Sequence, residues 1–369
     1  MRVALVYDRV NKIGGAERVL EALHEIFPDA PLYTAVYNPK TAPWAEKFNV
    51  IPSFLNKFPF AKRSHEVYPW LTPLAFESFD FSEFEVVISV TSEAAKGIIT
   101  KPKTFHICYC LTPTRYLWSG YEDYFSNKIF RFLTRPVVSH LRHWDKIAAQ
   151  RPDVFIAISK NVAQRIKKYY GRDSEVIYPS VDTEKWRMES GEWRIGEYFL
   201  VVSRLVPYKK VDIAIQAFNK LGLPLKIVGI GREMGRLKRM AKKNIEFLGQ
   251  LTDFQLLSYY QRCQAVIFPQ EEDFGLVPLE AQACGKPVIA YRGGGALETV
   301  IESKTGEFFE KQTSESLEVA VKSFKPEKFK PEDCRRNAER FSQEIFKKKF
   351  KEFVEKEWQK KKQRTICMF

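Results

Sequence analysis

Short apolar runs alternate with helix-like segments along this chain of 369 residues. Strand-length runs in the first half fall at Val3–Tyr7, Val86–Val90, Phe105–Cys110 and Val154–Ile158. A Gly-rich turn and a helical pattern at Ala16–Ile26 follow the first run. Strands that alternate with helices assemble into parallel sheets covered by helices. The pattern therefore predicts an α/β protein, with a less regular aromatic and proline-rich stretch at residues 40–80.

A second alternating series predicts a second sheet of the same kind. Its strands are predicted at Tyr198–Ser203, Leu225–Val228, Ile245–Leu248, Ala265–Phe268 and Pro287–Ala290. Its helices are predicted at Asp212–Leu221, Met234–Lys242, Phe254–Arg262, Val277–Cys284 and Ser314–Ser323. Segment 179–197 between the two series has no consistent periodicity and contains proline, glycines and scattered charges. These features indicate an interdomain linker.

We therefore predict two similar α/β domains, residues 1–178 and 198–343, followed by a closing basic helix, residues 344–369. The apolar side chains of the last segment recur at helical spacing, opposite the lysines. They are Phe346, Phe350, Phe353, Val354 and Trp358.

The net charge of +14 raises the question of a polyanionic partner. Residues 347–364 contain nine Lys/Arg against three Glu. A solvated basic helix, a nucleic-acid site and an anionic-membrane site are all compatible with such a run. The chain has no helix-turn-helix signature, RNP aromatic box or zinc-finger spacing, so we expect no nucleic-acid partner.

Composition also indicates the cellular compartment in which the protein is expected. Hydrophobic residues make up 45% and charged residues 28% of the chain, and no apolar run approaches the roughly 18 residues that span a bilayer. The first apolar run stops at Asp8, which favours a buried strand over a signal peptide. Six cysteines without a C-x-x-C pair indicate free thiols in a reducing cytoplasm.

Segment 271–285, EEDFGLVPLEAQACG, carries the sharpest chemical signal. Gly275 opens the predicted helix, and a helix N-terminus offers unpaired N–H donors and a positive dipole end to a phosphate. Glu280, about one turn into the helix, can accept hydrogen bonds from the hydroxyls of a sugar. Glu272 precedes it by eight residues. An ordinary α/β turn with two solvated acids is the alternative interpretation.

Two further segments place polar groups at strand ends. Arg204 and Lys209 follow a predicted strand, where ligands of open α/β sheets bind, and could stabilise the charge of a diphosphate leaving group. The alternative is two surface cations. Gly14 and Gly15 lie between the first strand and helix but lack a full G-x-G-x-x-G, so a tight turn is equally compatible with them.

Together these segments resemble the retaining glycosyltransferases of family 4. The similarity rests on GGAER at 14–18, YPSVD at 178–182, SRLVPYK at 203–209, E272-x7-E280 and GGGALE at 293–298, in this order along nearly the whole chain. YCLTPTRYLW at 109–118 is most similar to mannosyltransferase-like members that build bacterial surface polysaccharides. The resemblance implies a GT-B fold, in which two Rossmann-like domains face each other across a cleft and a C-terminal helix closes back on the N-terminal domain.

The resemblance also implies a role for each site residue. Arg204 and Lys209 would bind the diphosphate of a nucleotide-sugar donor such as a GDP- or UDP-hexose, and Glu272 would lie near the transferred sugar. Glu280 would bind the ribose, and Leu251 would border the base. The remaining donor contacts would be the backbone N–H groups of Phe274, Gly275 and Leu276, with Gly14 and Gly15 approaching from the N-terminal domain as the cleft closes.

Position 111 departs from the family pattern. Similar sequences carry a histidine before the T-P of this segment, where it touches the transferred sugar, and this chain has Leu111. His106 lies five residues earlier within a predicted strand and does not replace it. The departure affects the expected sugar preference and rate, and it keeps a non-catalytic role open.

We expect no metal and no cofactor besides the sugar nucleotide. No D-x-D occurs in the sequence, and the cations with a helix terminus supply the positive charge that Mg²⁺ would give. His140 and His143 fall three apart in a predicted helix without accompanying carboxylates or cysteines, which indicates a surface pair.

The acceptor side is predicted from composition. Segments 54–70 and 127–144 mix Arg or Lys with Phe and Trp, which suits either an anionic membrane surface or core-facing aromatics with solvated cations. Because similar enzymes use lipid-linked acceptors, we favour a glycan or lipid-linked acceptor and peripheral contact with the inner face of the plasma membrane. A nucleotide-sugar epimerase or phosphorylase and a non-catalytic sugar-nucleotide binder are the alternative function classes.

Overall fold

The chain forms two compact units in the computed structural model, which describes residues 1–12, 14–124, 127–187 and 196–366. The first unit contains Met1–Pro179 together with Phe346–Phe369, and the second contains Ser180–Ile345. Each unit is built on its own parallel sheet.

The first unit contains a seven-stranded parallel sheet in the order β3-β2-β1-β4-β5-β6-β7. Its strands are β1 (Val3–Tyr7), β2 (Leu32–Thr34), β3 (Val50–Pro52), β4 (Val86–Thr91), β5 (Phe105–Cys110), β6 (Val154–Ala157) and β7 (Glu175–Val176). Its helices are α1 (Gly15–Ile26), α2 (Thr72–Glu77), α3 (Tyr121–Tyr124), α4 (Lys128–Ala148) and α5 (Lys160–Tyr170). Every residue of β1, β4 and β5 is buried, as expected of central parallel strands covered on both faces.

The last helix of the chain, α13 (Gln343–Ile366), packs on the first unit. Phe346, Phe350 and Val354 recur every four residues and are all buried, because this spacing puts them on one side of a helix. The rings of Phe346 and Phe350 lie 6.1 and 5.6 Å from the ring of Tyr109 in β5. The prediction that the C-terminal helix closes back on the N-terminal domain is confirmed.

The second unit contains a six-stranded parallel sheet in the order β10-β9-β8-β11-β12-β13. Its strands are β8 (Tyr198–Val202), β9 (Leu225–Val228), β10 (Ile245–Gly249), β11 (Cys263–Phe268), β12 (Val288–Tyr291) and β13 (Gly306–Phe309). Its helices are α6 (Val211–Leu221), α7 (Met234–Met240), α8 (Asp253–Arg262), α9 (Leu276–Ala283), α10 (Ala296–Thr299), α11 (Ser314–Ser323) and α12 (Pro331–Glu339). The prediction of two Rossmann-like domains with parallel sheets is confirmed.

The predicted linker, 179–197, is partly packed structure. Val181 bridges to Ser342, and Trp186 is fully buried with its ring 5.4 Å from that of Tyr260 in α8. Residues 188–195 lie outside the described residues. Within the described ranges, no helix combines the length and the apolar character that crossing a membrane requires.

Candidate functional site

The candidate site begins at the carboxyl end of the central strand β8. The loop after β9 lies against the loop after β8, with Leu205 N–H donating to the carbonyl of Ile230 at 2.9 Å. A Cβ at Gly229 would fall 1.9 Å from the carbonyl oxygen of Ser203, and one at Gly231 would fall 2.2 Å from that of Leu205. These glycines therefore permit the two loops to touch and fix the start of the segment that carries Arg204 and Lys209.

Arg204 and Lys209 are linked through the tyrosine between them. The exposed guanidinium of Arg204 donates to the Tyr208 hydroxyl at 2.6 Å, and Lys209 Nζ lies 5.3 Å from the centre of the Tyr208 ring. Lys210 adopts a left-handed conformation with φ of +52°. Glycine is favoured at such a φ, so a lysine here is held in a conformation that L-residues adopt less readily.

Lys209 also contacts Glu272, the first acid of the predicted pair. The ammonium and Glu272 Oε1 form an ion pair, and the two side chains are only 13% and 16% exposed. The structure thus brings together two of the three residues predicted to be catalytic, from the loops after β8 and β11. Arg204 joins this pair through Tyr208.

The loop that carries Glu272 is held by close backbone contacts. Gly295 N–H donates to the carbonyl of Glu272 at 2.8 Å. A Cβ at Gly294 would fall 2.3 Å from that carbonyl oxygen, and one at Gly295 would fall 2.2 Å from the carbonyl oxygen of Phe274. The glycines of the GGGALE segment therefore allow its backbone to pack directly against the loop that carries Glu272 and to support it.

Gly275 forms the turn into α9 with φ of +91°, a conformation that favours glycine. Leu276 is the first residue of the helix, and no side chain among the described residues caps its N-terminus. The N–H groups of a first helical turn have no partner within the helix. Phe274 is buried, with its ring 5.6 Å from that of Phe341, so its side chain anchors the loop.

Glu280 lies in the fifth position of α9 and is 5% exposed. The Tyr260 hydroxyl donates to its Oε2 at 2.9 Å. The carboxylate is therefore held by α8 instead of being solvated, in contrast to the alternative interpretation of a surface acid. Half-buried Leu251 lines a pocket of about 380 Å³ together with Phe254, Ser258 and Tyr259.

The other predicted site residues belong to the first unit. Leu111 directly follows β5, is half-buried, and donates its N–H to the carbonyl of Thr91 at the end of β4 at 2.8 Å. Gly14 and Gly15 are exposed where α1 begins. Glu17, one turn on, is buried and accepts a hydrogen bond from the Tyr7 hydroxyl at 2.7 Å.

A buried charged network at the same edge of the first sheet was not predicted. Asp8, directly after β1, accepts from Thr91 Oγ1 at 2.9 Å and from the N–H groups of Ser92 and Ala95 at 2.6 and 2.9 Å. Burial, followed by the charge of Glu93, raises the pKa of Asp8. Polar residues that directly follow fully apolar strands, as Asp8 follows VALVY, are the signal that could have located this network.

Glu93 is the centre of this network. It pairs with Arg9 and contacts His65 Nε2 at 2.9 Å. Although burial opposes its ionisation, Arg9 and His65 hold the pKa of Glu93 below its ordinary value. Ionised Glu93 therefore keeps two loops of the first unit in place.

The loop after Leu111 rests on a second buried pair. Lys96 and Asp145 form an ion pair and are each about 1% exposed. Asp145 also accepts from Thr114 Oγ1 at 2.9 Å and from Trp118 Nε1 at 2.7 Å. The pair thus fixes the TPTRYLW segment that resembles family members.

The histidines, cysteines and acidic residues were also considered as metal ligands or paired thiols. Among the described residues, no three His, Cys, Asp or Glu side chains are grouped so that they could hold a metal ion. His140 and His143 are exposed on α4. Five cysteines are buried and free, and Cys367 lies outside the described residues.

Two family models match consecutive parts of the chain. Residues 13–185 match the model described as Glycosyltransferase Family 4, and residues 182–341 match the model described as Glycosyl transferases group 1. The chain spans about half the length of several curated relatives that it matches.

Three of these comparisons are informative. A GDP-mannose-dependent alpha-(1-6)-phosphatidylinositol monomannoside mannosyltransferase of Mycolicibacterium smegmatis is 31% identical over 199 residues, which cover 46% of this chain and 52% of the relative. A D-rhamnosyltransferase of Pseudomonas aeruginosa is 28% identical over 240 residues, 61% of this chain and 62% of the relative. The Anabaena protein HepE, solved in complex with UDP, superposes with a TM-score of 0.72 at 19% identity, covering 96% of this chain and 100% of HepE. Two parallel-sheet domains that match these two models in order make the chain a GT-B protein similar to the family 4 glycosyltransferases.

Proposed function

We propose that the protein is a retaining glycosyltransferase that moves a hexose, with mannose favoured, from a nucleotide sugar to a glycan or lipid-linked acceptor. The observation that carries this proposal is the cluster of Arg204, Tyr208, Lys209 and Glu272 at the carboxyl end of the second sheet. Ligands of open α/β folds bind at this edge.

The cluster suits a diphosphate leaving group. Two cations aimed at the oxygen that gains charge lower the barrier by stabilising the transition state. The N-terminus of α9, opened by Gly275, offers further N–H donors to the same anion. Because protein groups supply this positive charge, we propose that transfer needs no metal ion and no cofactor besides the sugar nucleotide.

We further propose that Glu280 binds a pair of hydroxyl groups of the donor. Its Oε2 is held by Tyr260, and the carboxylate is fixed within a helix, so it presents a preorganised acceptor to the ribose of the donor. A carboxylate that accepts hydrogen bonds while ionised forms the stronger class of such bonds. Leu251 and Phe254 offer apolar surface for the base.

The relatives support a hexose donor of the mannose type. The mycobacterial relative uses GDP-mannose according to its name, and HepE binds UDP, so we propose a GDP- or UDP-hexose. Rhamnose is a 6-deoxy hexose, and the rhamnosyltransferase relative supports a deoxy sugar as the variant of this proposal. We further propose a role in surface-polysaccharide synthesis at the cytoplasmic face of the membrane.

Thermal denaturation against a panel of GDP, UDP, ADP and their hexose conjugates tests the donor site. A ligand at about 100 times its dissociation constant stabilises the folded state by roughly 2.7 kcal/mol. The true donor should raise the melting temperature of the wild type and shift that of Lys209→Ala much less. Equal shifts in both proteins, or no shift with any sugar nucleotide, would argue against the proposal.

A non-catalytic or weakly active sugar-nucleotide binder is the second candidate function. Leu111, half-buried beside β4, provides no imidazole where the family resemblance implies one, and this departure favours the second candidate. A donor-hydrolysis assay separates the two candidates, because transferases slowly hydrolyse their donor whereas a binder releases no sugar. An epimerase would convert the sugar while leaving the nucleotide conjugate intact, so chromatography of the conjugate after incubation separates it from a binder.

The first unit offers a surface for an anionic membrane. Helix α4 combines exposed apolar side chains with arginines, which suits a helix lying at a headgroup layer. We therefore include peripheral membrane contact in the proposed function.

A further inference from the structure

The N-terminal part of α4 exposes large apolar side chains. Ile129, Phe132 and Leu133 are 74%, 73% and 68% exposed, whereas Val138 and Leu141 on the opposite side are buried. A helix on the surface of a soluble domain ordinarily directs charged and polar side chains outwards. Large exposed apolar patches mark surfaces that bind a protein, a membrane or a ligand. We call Ile129, Phe132 and Leu133 the α4 stripe.

An arginine-lined pocket adjoins the α4 stripe. It has a volume of about 610 Å³, and its lining includes Tyr121, Arg131, Arg135, Ser139 and Arg142. Phe132 lines the same pocket, so the pocket and the stripe share a wall. The arginines are four and seven residues apart and therefore follow one flank of the helix.

The guanidinium groups in the pocket are prepared for an anion. Arg142 is held in place, with its Nε donating to the carbonyl of Leu117 at 2.6 Å and its guanidinium 4.6 Å from the Tyr121 ring. Among the side chains that the structure describes, Arg131 pairs only with Glu122, at 4.0 Å, and an ion pair this exposed contributes little. Arg135 forms no ion pair with any carboxylate whose position the structure describes. Counted over the described side chains that line it, the pocket thus has an excess of positive charge.

We propose that this pocket binds the phosphate group of a membrane lipid, with its hydrocarbon part alongside the α4 stripe. Guanidinium forks match phosphate oxygens and bind them bidentately, while the Ser139 hydroxyl can donate a further hydrogen bond. Because the α4 stripe adjoins the pocket, the site favours an amphiphilic ligand over a soluble phosphate. The pocket specifies which lipid group the first unit contacts, and this inference rests on the membrane contact of the proposed function.

Vesicle sedimentation at about 0.15 M salt tests the site. Phosphatidylcholine vesicles would contain either phosphatidic acid or phosphatidylserine, adjusted to equal surface potential. The variants are Arg135→Ala, Arg135→Lys, Phe132→Ser and, as a charge-matched control outside the pocket, Lys103→Ala, which alters an exposed residue ahead of β5.

The wild type should prefer phosphatidic acid, because its phosphate is accessible as a monoester. Arg135→Ala should weaken that binding about fivefold or more and abolish the preference, since one cation near the membrane is worth about 1 kcal/mol. Arg135→Lys should keep the charge but lose most of the preference. Lys103→Ala should stay within about twofold of the wild type, and Phe132→Ser should weaken binding to both vesicle types.

Two outcomes would overturn the site. They are equal binding of the wild type to both vesicle types, and equal losses in Arg135→Ala and Lys103→Ala. Donor hydrolysis in the same proteins separates this result from the proposed function. Arg135→Ala should hydrolyse donor at the wild-type rate. If no protein hydrolyses donor, the transferase proposal is contradicted. The vesicle preference still tests whether the pocket binds a lipid phosphate.

Discussion

Lys209 Nζ and Glu272 Oε1 form an ion pair between the loops that follow β8 and β11. Both side chains are mostly buried, so the pair is more strongly coupled than a typical surface salt bridge. A diphosphate that binds Lys209 therefore competes with Glu272 for the same ammonium group. Under the proposed function, the pair would set how tightly the protein holds its donor and how readily it releases the nucleoside diphosphate.

Glu272→Gln should separate binding from turnover. Loss of the carboxylate frees Lys209, and we expect nucleoside diphosphate to bind up to about fivefold more tightly, equivalent to about 1 kcal/mol. Turnover should fall, because the resemblance places Glu272 near the transferred sugar. Calorimetric titration and initial rates measure the two effects. A variant that binds nucleotide more weakly would show that Glu272 supports the site in another way.

Arg204→Ala and Lys209→Ala should each lower kcat/KM while leaving the fold intact. Loss of one charge contact to the leaving diphosphate should raise the barrier by about 2–4 kcal/mol. The matched control is Lys210→Gly, which removes a neighbouring cation and relieves a left-handed lysine. Wild-type rates in both alanine variants, or an equal loss in Lys210→Gly, would contradict the role of the cluster.

The sequence predicted the elements whose own residues carry a periodic signal. The runs at Val3–Tyr7 and Phe105–Cys110 coincide with β1 and β5, because strands buried on both faces are continuously apolar. The spacing of Phe346, Phe350 and Val354 correctly predicted the buried side of α13. No single motif identified the GT-B fold. The fold was identified because several motifs occur in the order and structural context that the family shows.

Elements and contacts that depend on distant residues escaped prediction. The strands β2 and β3 have three residues each, too few for a periodic pattern. Trp186 looked like part of a linker, although it is buried against Tyr260, 74 positions further along the chain. The ion pair of Lys209 with Glu272 likewise joins two loops that only the order of the strands brings together.

Activity should survive EDTA. The expectation rests on the absence of D-x-D and on the cationic cluster at the proposed donor site. A divalent ion neutralises phosphate charge in many transferases, and Arg204 with Lys209 would take that part here. The measurement is donor hydrolysis before and after chelation. Loss of turnover that Mn²⁺ or Mg²⁺ restores would contradict the metal-independent mechanism.

Acid should destabilise the chain through His106. Burial, followed by the charge of Lys361, lowers the pKa of His106 from 6.5 to about 3, and its Nε2 lies 2.8 Å from Ser89 Oγ. Because the folded-state pKa is depressed, the unfolded chain binds the extra proton between about pH 6.5 and about pH 3. The stability is therefore fully present above pH 6.5 and falls as the pH decreases.

His106→Gln removes this titration. The wild type should lose about 2 kcal/mol of stability between about pH 6.5 and about pH 5 through this group, and the variant should lack that part of the slope. Chemical denaturation at several pH values measures the difference, and other groups contribute equally to both proteins. Parallel pH profiles for the two proteins would show that His106 is not the titrating group.

We expect Leu111 to affect which donor sugar the protein prefers. The family resemblance implies an imidazole at this position, which can hydrogen-bond a sugar hydroxyl and act on the positive centre that develops in the transition state. Leucine can do neither, and under the proposed function it would make this part of the donor pocket apolar. A pocket that only tolerates a hydroxyl discriminates poorly, whereas one built to bond it rejects the deoxy analogue by roughly 10⁴ or more. We therefore expect a donor that lacks the hydroxyl, such as a 6-deoxy hexose, or slow turnover of a common hexose.

Leu111→His should shift donor preference towards the hydroxylated hexose. The backbone N–H of Leu111 donates to the carbonyl of Thr91, and histidine retains this bond, so the substitution should leave the loop in place. The experiment is a competition between the hexose donor and its 6-deoxy analogue, with the ratio of kcat/KM values compared in the two proteins. Leu111→Met is the control, because it changes shape without adding a hydrogen-bonding ring. A ratio that stays unchanged in Leu111→His, with the protein folded, would show that position 111 does not face the sugar and that the family alignment of this segment is wrong.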